Sequence, residues 1–450
     1  MSRDRFNQIK LKLSYSFDCT FDELTLKGRG VYLIYLSSLC SMGAVSDLIQ
    51  GFLMSEDNQR FTFFNGSITP IQNEAMAITQ ILSGQCIVLF DEDEHYYVIE
   101  TRHYPTRSIH AAENEKSTRG SSESFTENII NNVGLVRRRI RDERLCIELV
   151  KEGQLCKCDI AILSMRGYVD LDVKNDFMAR LKRNNDVEIY NDRNLIEALY
   201  GKTMNPYPHV RYSERPDLCA LHLLQGYLIV IVDNIPMAIL LPTTFFEQLQ
   251  QAEEYTQTPL IAFFTRTIRY LGVFVSLYLM PFFVVINMAR IPTLLNLPLL
   301  DIKPFEFCFQ ILFAELVVEW IRLSLIHSPS LLSSIMGFLV VFILGDIGIE
   351  LGASTKEILV IIAICNLGNL LTPSYEISLA NKFFRVFFTV LTIFFKVPGF
   401  CFGILIHFLL LMRTKTIKYP YLYPLIPFSF KEMKRLLFGE LMRDKQRGTH

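Results

Sequence analysis

LGVFVSLYLMPFFVVINM, Leu271 to Met288, runs eighteen residues without a charge. A bilayer core takes ~20 apolar residues of helix, so the run is just long enough to span one. Arg266 and Arg269 stand immediately before it, which by the positive-inside bias puts the preceding chain in the cytoplasm. Three more apolar tracts follow, Leu331 to Ile349, Ile358 to Leu371 and Val386 to Met412. The tail from Arg413 holds nine Lys or Arg against three acids, so the C-terminus is expected on the same side and the number of crossings even.

One segment resists that scheme. FAELVVEWIRLSLIHSPS, Phe313 to Ser330, sets Glu315, Glu319 and Arg322 in a run otherwise fit for lipid. At 100° per residue the three fall within about 60° on one helical face, while Glu306 points elsewhere. A charge at mid-bilayer costs roughly 3 kcal/mol or more, so the stripe must face protein, water or the membrane interface. The plain expectation is a salt-bridged interfacial helix in which Glu315 or Glu319 pairs Arg322. The sharper one is a polar lining for ions. Asp346 with Glu350, Glu376 after the Thr372-Pro373-Ser374 break, Asn366, Asn369, Lys396 and His407 add polar groups to the same half. The candidate ion path is therefore Glu315, Glu319, Arg322, Asp346, Glu350 and Glu376. Pro373, Pro398 and Gly399 allow bent or discontinuous helices.

The other half carries most of the charge. Over 450 residues the net charge is only -1, yet Lys, Arg, Asp and Glu crowd into residues 1–269 and 413–450. GVYLIYLSSLC (Gly30 to Cys40) reads as a strand, Ala75 to Leu82 as a helix, and QCIVLF with YYVIET as a hairpin across Asp91 to Glu94. CDIAILSM, DVKNDFMARLKR and the pair YLIVIV and PMAILL repeat the scheme. Gly84 precedes Asp91 by the same distance that separates Gly226 from Asp233, which argues for an internal duplication. The expected architecture is an α/β N-terminal region of two related subdomains followed by an all-α polytopic transmembrane bundle. Its divisions are residues 1–110 and 125–262 for the subdomains, 111–124 for a polar linker, 263–412 for the membrane domain and 413–450 for a basic tail.

Ten cysteines lie scattered, with Cys308, Cys365 and Cys401 in apolar runs, and read as small buried hydrophobes in a reducing compartment. Cys156 and Cys158 alternate onto one face of an expected strand, with Cys146 upstream; three thiols without a nearby His fall short of a zinc set, so no metal is expected. MSRDRFNQIK lacks the apolar core of a secretory signal. A helix capped near Ser124 is expected through Ile140, with Arg137, Arg138, Arg139 and Arg141 on it. Acids follow at once and no aromatics interleave, so the cluster reads as a salt-bridged junction and nucleic acid is not an expected partner. Gly201-Lys202-Thr203 lacks the leading glycine of a phosphate loop, and His222 reads as a satisfied core residue. No cofactor and no enzymatic activity are expected.

TRGSSESFTENIINNVGLVRRRIRD resembles the hallmark segment of the GerA family of bacterial spore germination receptor A subunits. NPYPHVRYSERPD, Asn205 to Asp217, is similar to that family's proline-rich segment and its Glu214-Arg215-Pro216-Asp217 ending. LLQGYLIVIVDNIPMAILLPTTFF, RYLGVFVSLYLMPFF, TPSYEISLANKFFR and YPYLYPLIPF resemble further stretches in the same order. The resemblance implies an integral, multi-pass protein of the spore inner membrane that acts in germination. It also implies a homo-oligomer in contact with membrane lipid and ions, with germinant receptors and a small membrane subunit as candidate partners. AEEYTQTP and LSLIHSPSLLSSIMGFLVVFILGDI are more similar to a signal-amplifying branch than to the nutrient-sensing one. Lys157-Cys158 and Ser121-Ser122 depart from the family pattern and bear on local loop geometry. Two other functions stay open: a receptor that binds a small nutrient, and a scaffold without a pore.

Overall fold

The computed structural model describes residues 2–26, 29–54, 67–91, 93–105, 121, 123–183, 188–255, 257–290, 300, 302–327, 348–350, 352, 354–414 and 416–438. Two compact units divide the chain. Met1–Thr203, His209–Thr243 and Thr416–Tyr419 form the first; Met204–Pro208, Thr244–Lys415 and Pro420–His450 form the second.

The first unit opens with α1 (Ser2–Leu13), β1 (Cys19–Leu26), β2 (Arg29–Leu36), α2 (Met42–Met54), β3 (Ile68–Ile71), α3 (Glu74–Leu82), β4 (Cys86–Phe90) and β5 (Tyr96–Ile99). It continues with α4 (Ile129–Arg137), β6 (Leu145–Glu152), β7 (Cys158–Met165), α5 (Leu171–Arg183), α6 (Asp192–Tyr200), β8 (Arg211–Ser213), α7 (Pro216–Leu224), β9 (Leu228–Val232) and β10 (Ala238–Leu241). The sheets run in the orders β1-β2-β4-β5-β3 and β6-β7-β9-β10-β8, the same path drawn twice, and every pairing is antiparallel. The two related halves are therefore antiparallel α/β layers rather than parallel βαβ units. Gly84 and Gly226 occupy equivalent turns at φ +88° and +90°, a conformation that side chains avoid.

CIVLF and LIVIV are buried at every position instead of alternating. Both faces of each sheet are covered, so both registers of the strand must be apolar. In the first sheet Ile34, Ile87 and Leu89 pack under α1 and α3, while Leu33, Tyr35 and Val88 pack under α2. In the second, Leu163, Ile229 and Ile231 meet α4 and α7, and Ile160, Ile162 and Val230 meet α5 and α6. Each such side chain contributes roughly 1.5–3 kcal/mol by leaving water, against which the entropy of ordering the chain is set.

Several sequence expectations shift here. The helix expected from Ser124 begins only at Ile129, because Asn128 caps it through a bond from Asn131 N and Phe125 N instead donates to Glu214 O at 2.8 Å. Asn132 holds the extended approach, accepting from Thr126 N at 2.7 Å and donating to Thr126 O at 2.6 Å. Strand β7 starts at Cys158, so Cys156 lies outside it in an exposed position. Cys401 is exposed rather than buried. His222 is 2% exposed and its Nδ1–H donates to Leu218 O at 2.8 Å. Burial, helped by the Arg211 charge, pushes its pKa down to about 3.

The second unit is helical. After α8 (Phe245–Gln248) come α9 (Pro259–Ala289), α10 (Pro304–His327), the single turn α11 (Gly348–Glu350), α12 (Lys356–Leu370), α13 (Tyr375–Arg413) and α14 (Phe430–Phe438). Among the described residues, α9 and α13 are the two helices long and apolar enough to cross a membrane. The tract Leu331 to Ile349 lies outside the described residues up to 347. Helix α13 is not straight: Lys396 has φ 51° and ψ −132°, with Pro398 two residues on. The Phe384 and His407 rings lie 4.9 Å apart, whereas 23 residues of straight helix would separate them by ~35 Å. A Cβ on Gly399 would collide with Leu391 O, and one on Gly403 with Phe388. The chain thus reverses at Lys396 into two antiparallel arms, 375–395 and 397–413, and the tract expected as one crossing contains the turn.

Candidate functional site

Registers within the helical unit follow from paired contacts. Arg385 Nη1 donates to Ser276 O at 3.2 Å, and Tyr278 stacks on Phe388 at 5.9 Å, so α9 and the first arm of α13 run parallel. Cys365 reaches Val275 O, while Gly368 meets Gly272, so α12 runs antiparallel to α9. Phe307 of α10 lies beside Phe283. Lacking side chains, Gly272 and Gly368 let the α9 and α12 backbones touch.

Between α10 and the first arm of α13 lies an ionic ladder. Arg385 Nη2 donates to Glu315 Oε2 at 2.8 Å and to Asn366 Oδ1 at 3.1 Å, with the two charged side chains 1% and 4% exposed. One turn along, Glu319 takes Lys382 from the arm and Arg322 from its own helix, the latter with Nε to Oε2 at 3.1 Å. Arg322 also lies over the Tyr375 ring at 5.7 Å. Two acids spaced i,i+4 on α10 thus meet two bases spaced i,i+3 on α13, as antiparallel helices permit. Among the described residues, Glu315 Oε1 and Arg385 Nε have no hydrogen-bond partner.

The ladder has a definite depth. Arg266 and Arg269, buried at the start of α9, both pair Glu254, and Arg266 Nε to Glu254 Oε2 measures 2.7 Å. Ser276, level with Arg385, is seven residues beyond Arg269, or ~10 Å along the axis. Glu319 and Lys382 lie a turn nearer the Arg269 end. Past the ladder, Met280, Phe283 and Val284 pack against Phe307, Ile311, Ile358, Ile361 and Ile362.

A second polar chain runs close by. Tyr278 hydroxyl meets His407 Nδ1 at 2.8 Å, His407 Nε2 meets Tyr207 hydroxyl at 2.8 Å, and Tyr207 donates to Asn381 Oδ1 at 2.8 Å. Because Tyr207 spends its proton on Asn381, His407 Nε2 is the donor to the Tyr207 hydroxyl. Tyr207 is 1% exposed and stacks on Phe384 at 5.6 Å.

Of the six candidate path residues, Glu315, Glu319 and Arg322 come together in the ladder. Glu376 sits in the first turn of α13 and accepts from the Ser374 hydroxyl at 3.0 Å, a helix-start role suited to its charge. Glu350 is exposed, and Asp346 lies outside the described residues. Lys382, Arg385, Tyr207, Tyr278 and Asn381 were not singled out from sequence. Lys382 and Arg385, two bases a turn apart in an apolar run, were the readable signal, since such charges need acids opposite.

The family-motif residues lie in the first unit. Arg137 is fully buried and donates to Asp18 Oδ1 at 3.0 Å and Ser16 Oγ at 2.6 Å, tying α4 to the segment just before β1. Arg138 and Arg139 share Glu123. Arg215 grips Asp217 with Nε at 3.1 Å and Nη2 at 2.7 Å, and Pro216 begins α7, where a missing N–H costs nothing. Among the described residues no group of His, Cys, Asp and Glu is arranged to hold a metal.

The chain has apolar helices joined by buried ion pairs after duplicated antiparallel α/β layers, and it belongs to the Bacillus/Clostridium GerA spore germination protein family, its residues 7–448 matching the family model. Stage V sporulation protein AF of Bacillus subtilis (strain 168) is 32% identical over 95% of this chain and 90% of its own. Spore germination protein KA of the same organism is 25% identical over 80% of this chain and 67% of its own. The crystal structure of the N-terminal domain of the A subunit of the Bacillus megaterium spore germinant receptor GerK3 covers 53% of this chain and 93% of its own, at 22% identity and a TM-score of 0.40. These relatives are germination and sporulation proteins, which supports a role in germination.

Proposed function

We propose that this chain is a multi-pass protein of the spore inner membrane that works in germination as a subunit of an oligomeric, ion-conducting or signal-amplifying complex, with both termini cytoplasmic. The observation that carries the reading is the inverted polarity of the helical unit. Leu271, Leu367, Phe394 and Phe402 are 62%, 64%, 75% and 57% exposed, while Arg266, Glu315, Lys382 and Arg385 are 1%, 4%, 7% and 1% exposed. Water rejects such an outside and lipid requires it. Helix directions support more than one crossing: α10 and α12 both run against α9, and the two arms of α13 run against each other.

Glu315 and Glu319 spend their charge inside one protomer, and the apolar cluster around Phe283 stands above them. A conduit for ions therefore belongs between copies of the chain. Purified protein in planar bilayers tests this: conductance should rise more steeply than linearly with protein density. Silence from an assembled oligomer would instead favour the non-conducting scaffold, which the internal pairing of the ladder also suits.

A further inference from the structure

Helix α14 ends against the start of α9. The Phe438 ring stacks on Phe263 at 4.7 Å, and Arg266 Nη1 donates to Leu436 O at 2.6 Å. Leu436 is buried and Arg435 pairs Glu432 at 3.3 Å. The opposite face holds Phe430, Lys431 and Lys434 within about 100° of arc. Phe430 is 74% exposed, Phe428 just before the helix 67%, and no ion pair engages Lys431 or Lys434 among the described residues.

Beside the Phe263 that Phe438 covers, Leu260, Ile261, Phe264 and Ile268 of α9 are 73%, 51%, 62% and 45% exposed, a lipid-type surface at the same end of the helix. These turns lead directly into the apolar run from Leu271. Phenylalanine rings flanked by lysines suit one environment above others, the headgroup layer, where rings enter the acyl boundary and ammonium groups reach phosphates. We propose that α14 lies in the membrane interface and binds anionic phospholipid headgroups through Lys431 and Lys434, with Phe428 and Phe430 inserted. Glu254 reinforces the arrangement, because the Arg266 that it pairs also holds the α14 backbone.

The proposal rests on the membrane reading above, and one experiment separates the two. Full-length protein is placed in nanodiscs of phosphatidylcholine alone or with phosphatidylglycerol, and amide exchange is followed along α9 and α14. Exchange in α14 should slow by about tenfold in the anionic discs, and K431E/K434E should erase that difference while leaving α9 unchanged. Equal exchange in both lipids, or a difference that survives the double reversal, overturns the anionic-lipid site. Protection that follows the number of copies per disc instead would assign the face to a second copy and equally overturn it. Unprotected amides over 271–288 in every disc would sink the membrane reading itself.

Discussion

Glu315 and Arg385 illustrate what a buried charge requires. Their pair offsets a desolvation cost of several kcal/mol per ion only while both partners are present. Glu315→Leu or Arg385→Leu alone should therefore destabilise the helical unit by about 3–5 kcal/mol. Replacing both together should recover most of that loss, and a double-mutant cycle on thermal unfolding in detergent checks it. The same logic reshapes any test at Glu319, since Glu319→Leu would strand Lys382 and lower the amount of folded protein before conduction is measured. In the first unit His222 makes a pH prediction. Its folded pKa, about 3, lies below the ordinary 6.5, so the unfolded chain binds the extra proton between those values. Stability is then complete above 6.5 and declines as pH falls towards 3. Amide exchange in α7 of the full chain should show easier opening at pH 5 than at pH 7, and His222→Gln should remove the dependence.

At the scale of elements, the reversal in α13 and the crossing of α9 with α12 are the decisive devices. Spin labels at Leu379 and Leu409, both partly exposed, should report a separation well under half of the ~45 Å that 30 residues of straight helix would impose. A long distance would restore a single continuous helix. Gly368→Val places branched carbons where the Gly272 carbonyl already sits, and overpacking of this kind costs typically 1–3 kcal/mol. The variant should melt earlier, while Gly352→Ala, in open space but at φ +70°, should show only the smaller cost of its backbone. Secondary elements were legible where period and length agreed. β4, β5, β9, β10, α3 and α5 fall where the residues predicted, because a short apolar run bounded by Gly and Asp has few alternatives. The start of α4 was not legible, because Asn128 and Ser124 are both good caps and only the bond from Phe125 N to Glu214 O, 89 residues away, decides between them.

For the molecule as a whole, the proposed multi-pass arrangement, with the turn of α13 opposite both termini, predicts that a cysteine replacing Lys396 is labelled from the face opposite the termini, and labelling from the cytoplasmic face would overturn that placement. By itself the amino-acid sequence determined the greasy character of the second half, the duplicated plan of the first and the presence of charges that hydrocarbon cannot hold. Those properties follow from composition and period, which survive in any conformation. Tertiary structure alone decided which base answers which acid, that the last apolar tract folds back on itself, and that the ladder stops beneath an apolar cluster. Each of those outcomes depends on residues tens of positions apart meeting at a few ångströms, and periodicity along one strand of chain carries no record of such meetings.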